Sequence, residues 1–252
     1  MFEFKEHGPV CEIRMAHPPV NAMSPDFIDG LTIALREKAG DYRALVLSGQ
    51  PGMFSAGLDL ITLSKLDREG AGRFWGQFFG LLRTIGACPV PIASAITGHS
   101  PAGGAVMAIH GDYRVMARGE WKIGLNEVQV GLVVPQQIQR VLARLVGTQR
   151  AERLLVAGAL LTPEEALEAG LIDELADGFD ETVARAVAWC TLHTSLPPKA
   201  MSRTRDIIRS DMKSNYDDLG DADLEVFSDV WFSEETQRIV GQVLDRLGKK
   251  AG

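Results

Sequence analysis

Apolar and polar residues change rhythm repeatedly along the first half of the chain. Val10-Cys-Glu-Ile-Arg-Met15 alternates, which predicts a half-buried strand. Ser24-Pro25 then opens a helix, because serine is a good N-cap and proline suits the first helical position. Phe27, Leu31, Ala34 and Leu35 fall on one face, and Gly40 is placed to stop the helix. Ala44-Leu-Val-Leu47 predicts a buried strand that runs into the turn Gly49-Gln-Pro-Gly52, and Phe54 to Leu60 reads as a loop. A helix over about 69–87 leads to the strand Ile92-Ala-Ser-Ala-Ile96. The segment Pro101-Ala-Gly-Gly104 opens a short apolar helix to about His110, and Asp112 to Ala117 predicts a further strand. Alternation of this kind implies an α/β core.

From about 135 onward the pattern is helical. Thr162-Pro-Glu-Glu165 has the form of a capping box with proline at the first position, and Gly170 ends that helix. Ser195-Leu-Pro-Pro198 breaks the chain, and helices are expected over roughly 199–212, 219–232 and 234–247. This divides the chain into an α/β core, 1–195, and a helical C-terminal region, 196–252. Val240, Val243, Leu244 and Leu247 make a narrow apolar stripe. The apolar faces of this region are free either to close over the core or to pack against another subunit, and the pattern leaves both open.

Composition narrows the function classes. A chain of 252 residues with 46% hydrophobic content can bury a large core. Its 26 basic and 33 acidic residues give a formal charge of −7 with no long block of one sign, which argues against a nucleic-acid or anionic-membrane surface. No stretch approaches the roughly 18 continuous apolar residues of a membrane span. Cys11, Cys88 and Cys190 lack metal-ligand spacing, and so sparse a set suggests reduced thiols in a cytoplasmic setting. Each is expected as a small buried apolar residue.

Three segments carry the chemistry: Phe54-Ser-Ala-Gly-Leu-Asp-Leu60, Ser100-Pro-Ala-Gly-Gly104 and Gly124-Leu-Asn-Glu127. The first two put glycines where a backbone must turn tightly or approach a ligand, so each can aim an N–H at one oxygen. The third supplies a lone carboxylate. Two amide donors and one base suffice to remove a proton next to a carbonyl: the donors hold the enolate oxygen and the carboxylate takes the proton. Trp121, Ile123, Leu125, Val128, Val130, Leu132, Val133 and Val134 flank Glu127, and apolar company raises a carboxylate pKa. His99 and His110 are the alternative bases, although His110 lies on an apolar helix and reads as a packed core histidine.

Gly98-His-Ser-Pro-Ala102 nearly matches a nucleophile elbow. The elbow needs the N–H of the residue after the serine, and Pro101 has none. Neither His110 nor His193, the histidines that follow Ser100, has a triad-like context. The glycines form neither a phosphate loop nor a dinucleotide fingerprint.

Taken together, these segments resemble the crotonase (enoyl-CoA hydratase/isomerase) superfamily, from His17-Pro-Pro-Val-Asn-Ala-Met23 to at least Asp177. Phe54 to Leu60, Pro101-Ala-Gly-Gly104, Gly111-Asp-Tyr-Arg114 and Ile123-Gly-Leu-Asn-Glu127 are most similar to its mitochondrial-type delta-3, delta-2-enoyl-CoA isomerase branch. The resemblance implies a spiral of ββα units with a helical C-terminal trimerisation region. It implies an acyl-CoA thioester as substrate, a homotrimer or a hexamer of paired trimers, and no metal or redox cofactor. By the same resemblance Leu58 and Gly103 give the oxyanion-hole amides and Glu127 sits at the shared catalytic glutamate. Ala56, Gly57, Leu58, Asp59, Leu60, Gly103 and Asn126 fall at substrate-binding positions.

Two departures sharpen the expectation. Hydratases of the family carry a second glutamate where this chain has Val106, and the dienoyl-CoA isomerases carry an acid where it has Pro135. Adding water generally needs help at two centres, whereas moving a double bond needs one shuttle. The expected activity is therefore conversion of a 3-enoyl-CoA to the trans-2-enoyl-CoA through Glu127. The alternatives are an enoyl-CoA hydratase or other single-glutamate reaction of the family, and a non-catalytic acyl-CoA-binding homologue.

Overall fold

The computed structural model describes residues 1–217 and 219–250. Among them the strands are β1 (Phe2–His7), β2 (Val10–Met15), β3 (Ala44–Ser48), β4 (Gly52–Met53), β5 (Ile92–Ile96), β6 (Gly98–Pro101), β7 (Tyr113–Ala117), β8 (Ile123–Gly124) and β9 (Glu174–Ala176). The helices are α1 (Pro25–Asp41), α2 (Leu60–Leu63), α3 (Arg68–Gly86), α4 (Gly103–His110), α5 (Gln136–Val146), α6 (Thr148–Ala157), α7 (Pro163–Ala169), α8 (Gly178–Thr194), α9 (Pro198–Ile208), α10 (Ser210–Ser214), α11 (Asp221–Trp231) and α12 (Glu234–Lys250). A 3₁₀ turn spans Glu127–Val130.

The main sheet runs β1-β2-β3-β5-β7-β9, antiparallel at β1–β2 and parallel from there on. Its strands alternate between two buried faces, as the period of two requires. In β3, Ala44 and Val46 pack with Val183, Ala186 and Cys190 beneath α8, while Leu45 and Leu47 join the larger core under α1, α3 and α4. All three cysteines are buried free thiols. Helix starts follow their sequence signals. Ser24 accepts from the Phe27 amide, and Thr162 and Glu165 form the reciprocal capping box.

A second, smaller sheet organises the site. β4, β6 and β8 pair in parallel, Gly52 with Gly98 and Ser100 with Ile123. Each short strand leads directly into one of the three chemical segments. β4 opens onto Phe54–Leu58, β6 onto the first residue of α4, and β8 onto Asn126–Glu127. Repetition of a long strand, a short strand and a helix thus lines up three segments distant in sequence.

The C-terminal helices continue the core. Met212, Tyr216, Trp231 and Val240 belong to the same buried cluster as Phe27, Phe79 and Ile96. α11 lies along α3, where Trp75 meets Trp231 edge-on at 6.5 Å. α12 packs on α2 and on the 3₁₀ turn. The apolar stripe, whose partner the pattern left open, is used within the chain: Val240 is buried and Leu244 packs against the core cluster, while the Leu247 side chain lies outside the described residues. The single helix expected over 199–212 is broken at Arg209, whose guanidinium is drawn inward to the His110 carbonyl at 2.7 Å. Arg205 grips Asp112 at 2.7 and 2.8 Å and the Cys88 carbonyl at 2.5 Å, tying α9 to the core.

Candidate active site

Two backbone segments meet at the mouth of α4. Gly57, at φ +87°, and Gly103 approach so closely that a β-carbon on Gly57 would stand 3.1 Å from the Gly103 nitrogen. A β-carbon on Gly103 would lie 3.3 Å from the Gly57 Cα. The left-handed φ favours glycine at 57, and the tight contact leaves little room for a side chain. Leu58 forms an isolated parallel bridge with Met23. The bridge uses the Gly57 carbonyl and the Asp59 amide, at 2.8 and 3.1 Å, so the Leu58 N–H points away from Met23. Among the described residues that N–H meets no acceptor, and neither does the Gly103 N–H at the start of α4. α4 has no side-chain cap, so its positive end is left open for an incoming oxygen.

A polar network beneath fixes the first segment. Ser55 Oγ accepts from the Gly57 amide at 3.1 Å and donates to the Asn21 carbonyl at 2.7 Å. The Asn21 side chain donates to the carbonyls of Met15 and Phe54 at 3.0 and 2.9 Å. The Ala56 amide is held by Val20 at 2.9 Å. Asn21 and Ser55 were not singled out as site residues. Asn21 stands in the His17–Met23 motif, but its bonds to Met15 and Phe54 are visible only in three dimensions.

The base stands on a different support. The Ala102 amide donates to the Gly124 carbonyl at 2.8 Å, which ties the α4 segment to the one that carries Glu127. Gly124 can only be glycine, since a β-carbon there would lie 2.1 Å from the Ala159 carbonyl. Glu127 opens the 3₁₀ turn, and burial raises its pKa to about 7, opposed only by a hydrogen bond from its own amide. Its Oε2 is sealed from solvent and has no hydrogen-bond partner, and the same holds for the adjacent Asn126 Oδ1. The apolar neighbours in sequence contribute unequally. Ile123, Leu125, Leu132 and Val134 are buried, but Val128 and Val133 face outward.

The structure thus brings Leu58 and Gly103 together and links them to the Asn126–Glu127 segment. Ala56 and Leu60 flank the first amide, and both are half-buried. Asp59 has another job. Its carboxylate caps α2, accepting from the Ile61 and Thr62 amides at 3.1 Å and from the Thr62 hydroxyl at 2.6 Å. Val106 is buried on α4, and Pro135 is buried at the start of α5, so neither position offers a second acid.

The competing chemistry has no footing here. Ser100 is wholly buried beside Gly104, with no histidine bonded to it. His99 Nδ1 accepts from the Lys122 amide at 3.1 Å. His110 Nδ1 lies 2.6 Å from the Val106 carbonyl, so it carries the proton, and Nε2 accepts from the Tyr216 hydroxyl at 2.7 Å. Burial lowers its pKa to about 4, which makes it a neutral core histidine.

The chain is similar to known proteins over nearly its whole length. The family model described as "Enoyl-CoA hydratase/isomerase" matches residues 5–246. The chain is 31% identical over 247 residues to enoyl-CoA delta isomerase 1, mitochondrial, of Mus musculus, covering 96% of this chain and 85% of that protein. It is 32% identical over 196 residues to the probable enoyl-CoA hydratase EchA17 of Mycobacterium tuberculosis, covering 76% and 73%. Among solved structures, human mitochondrial delta3-delta2-enoyl-CoA isomerase superposes with a TM-score of 0.94 at 29% identity, covering 100% of this chain and 99% of that one.

Proposed function

This chain belongs to the enoyl-CoA hydratase/isomerase family and is an enoyl-CoA isomerase, and we propose that it shifts the double bond of a 3-enoyl-CoA by a proton shuttle on Glu127 alone. The thioester carbonyl oxygen is received by the Leu58 and Gly103 amides. Glu127 takes a proton from C2 as the C2–H bond breaks. The electron pair spreads over the thioester and the double bond as a dienolate whose oxygen is held by the two amides. The same carboxyl then returns its proton to C4, leaving trans-2-enoyl-CoA and an ionised Glu127. Atoms and charge balance without a redox step, a metal or a water molecule.

The observation that carries this mechanism is the isolation of Glu127. Its raised pKa of about 7 suits a group that must both take and return a proton near neutral pH. Apolar Val106 and Pro135 at the two positions of a second acid favour isomerisation over hydration. Ala56, Gly57, Leu60 and Asn126 are read as lining for the acyl-CoA.

Assembly as a homotrimer or a pair of trimers is part of the proposal. Exposed Leu192, Leu196, Ile207 and Ile208 on and between α8 and α9 support it better than the α12 stripe does. A cytoplasmic protein that binds neither nucleic acid nor membrane is likewise proposed from the charge balance and the sparse cysteines. Incubation with trans-3-hexenoyl-CoA and, separately, with crotonyl-CoA tests the mechanism through the absorbance of the conjugated thioester. Isomerisation should outrun hydration at least ~10²-fold if the missing acid matters as general acid–base groups usually do. Hydration at the same rate or faster would refute the single-carboxylate shuttle.

A further inference from the structure

The turn that bears Glu127 is gripped from outside by the C-terminal helix. Within the turn, Glu127's carbonyl accepts from the Leu132 amide at 3.0 Å, and Gly131 closes it at φ +76°. The Gly131 carbonyl points out of the turn and accepts from Thr236 Oγ1 of α12 at 2.7 Å. Thr236 is 1% exposed and lies 105 residues away in sequence. A buried threonine in a helix ordinarily spends its hydroxyl on the carbonyl one turn back; this one reaches across to another segment.

The hydroxyl is itself aligned. Ser233 Oγ accepts from the Thr236 amide at 3.2 Å and donates to Thr236 Oγ1 at 3.0 Å, so the Thr236 proton is directed to Gly131. α12 also touches the turn directly, since a β-carbon on Gly131 would lie 3.2 Å from the Thr236 Cα and 3.1 Å from Ile239 Cδ1. On the opposite flank Gln129 Nε2 donates to the Gly158 carbonyl at 2.8 Å. The carboxylate has no partner on Oε2, so its aim depends on how the turn is held.

We propose that Thr236 is a positioning residue for the reaction, and that its hydrogen bond to the Gly131 carbonyl fixes the turn from which Glu127 reaches the substrate. The C-terminal helix thereby serves the active site of its own chain. The inference rests on Glu127 being the base, as proposed above.

Steady-state kinetics of the full-length protein with trans-3-hexenoyl-CoA test it. Thr236→Val keeps the shape and removes the donor. Loss of one aligned hydrogen bond should lower kcat about tenfold while KM stays within about twofold. Thr236→Ser, which restores the hydroxyl, should recover most of kcat. Thr236→Ala serves as a second deletion, and each variant is assayed well below its own melting temperature. Wild-type kcat in both deletions, an equal loss in the serine variant, or failure of both deletions to fold would each overturn the positioning role. Under the first two results an active wild type would leave the isomerase mechanism standing. A wild type that leaves trans-3-hexenoyl-CoA unchanged would remove both.

Discussion

The two amides and the carboxylate are held by opposite means. The amide side is main chain, and its supports form one connected set of hydrogen bonds: Gly57 is tied to Ser55, Ser55 to Asn21, and Asn21 to Met15 and Phe54. The carboxylate side is one side chain on a short turn, and the turn is supported by Gly158 at the end of α6 and by Thr236 of α12, the latter 105 residues away. The amide side is richly hydrogen-bonded beneath the Leu58 and Gly103 N–H groups, which themselves meet no acceptor among the described residues. The base side leaves Glu127 Oε2 buried and unpartnered. The difference suits the tasks. Donors that must fit a developing oxyanion gain from rigidity, since reorganisation at the moment of reaction is what they avoid. A base that must reach two carbons gains from weak attachment at the carboxylate and firm attachment of the backbone beneath it.

Substitutions that touch only one side should separate the two. Glu127→Gln removes the base and leaves the amides intact. Turnover of trans-3-hexenoyl-CoA should fall at least ~10²-fold with KM little changed, as measured by steady-state kinetics. The same variant should be more stable than the wild type at high pH. The Glu127 pKa is raised from 4.5 to about 7 in the fold, so the folded protein binds that proton more tightly than the unfolded chain. The stabilising contribution is present below 4.5 and is lost as pH rises through about 7. At pH 8 the glutamine variant, free of that loss, should gain up to about 3 kcal/mol, and near pH 4 the gain should vanish. Denaturant melts at the two pH values check this.

On the amide side, Gly57→Ala puts a methyl group 3.1 Å from the Gly103 nitrogen in a backbone conformation that disfavours it. Separation of the two donors should lower kcat about 10²-fold, the usual cost of losing one oxyanion-hole donor. Leu58→Ala keeps the N–H, and its kcat should stay near that of the wild type. Ser55→Ala is milder than the glycine change. It strips the Gly57 amide of its acceptor, and kcat should fall about tenfold. The carbonyl stretch of a bound acyl-CoA, read by infrared difference spectroscopy, should shift toward its solution frequency in Gly57→Ala and Ser55→Ala. It should stay at the wild-type position in Glu127→Gln.

The amide side was largely legible in the sequence, because a glycine at a tight backbone approach leaves a mark. Gly57 and Gly103 stand out in their glycine motifs, and Leu58 follows from the family resemblance. Glu127 stands out as the proposed base for a similar reason, a lone carboxylate in an apolar run. Its surroundings were only half legible, since Val128 and Val133 turned out to face solvent. Asp59 carries a role the motif did not announce: a carboxylate just before a helix is an N-cap, and it caps α2 here. The short strands β4 and β8 are two residues long and carry no periodic signal, so the small sheet that aligns the three segments was invisible. β1 is mostly polar and exposed at the sheet edge, and it escaped for lack of an apolar face. The α12 stripe was seen, but an apolar stripe does not name its partner. Thr236, bonded to a turn 105 residues away, left no local trace at all.

Transfer of deuterium within one turnover tests the single shuttle most directly. trans-3-Hexenoyl-CoA deuterated at C2 is mixed in ordinary water with excess enzyme, and the product is analysed by mass spectrometry and NMR. A carboxylate that takes the deuteron from C2, holds it on an oxygen sealed from solvent, and returns it to C4 should leave a measurable share of the label at C4. Product with C4 labelled only by solvent hydrogen from the earliest time point would mean that a different group, or water, delivers the second proton.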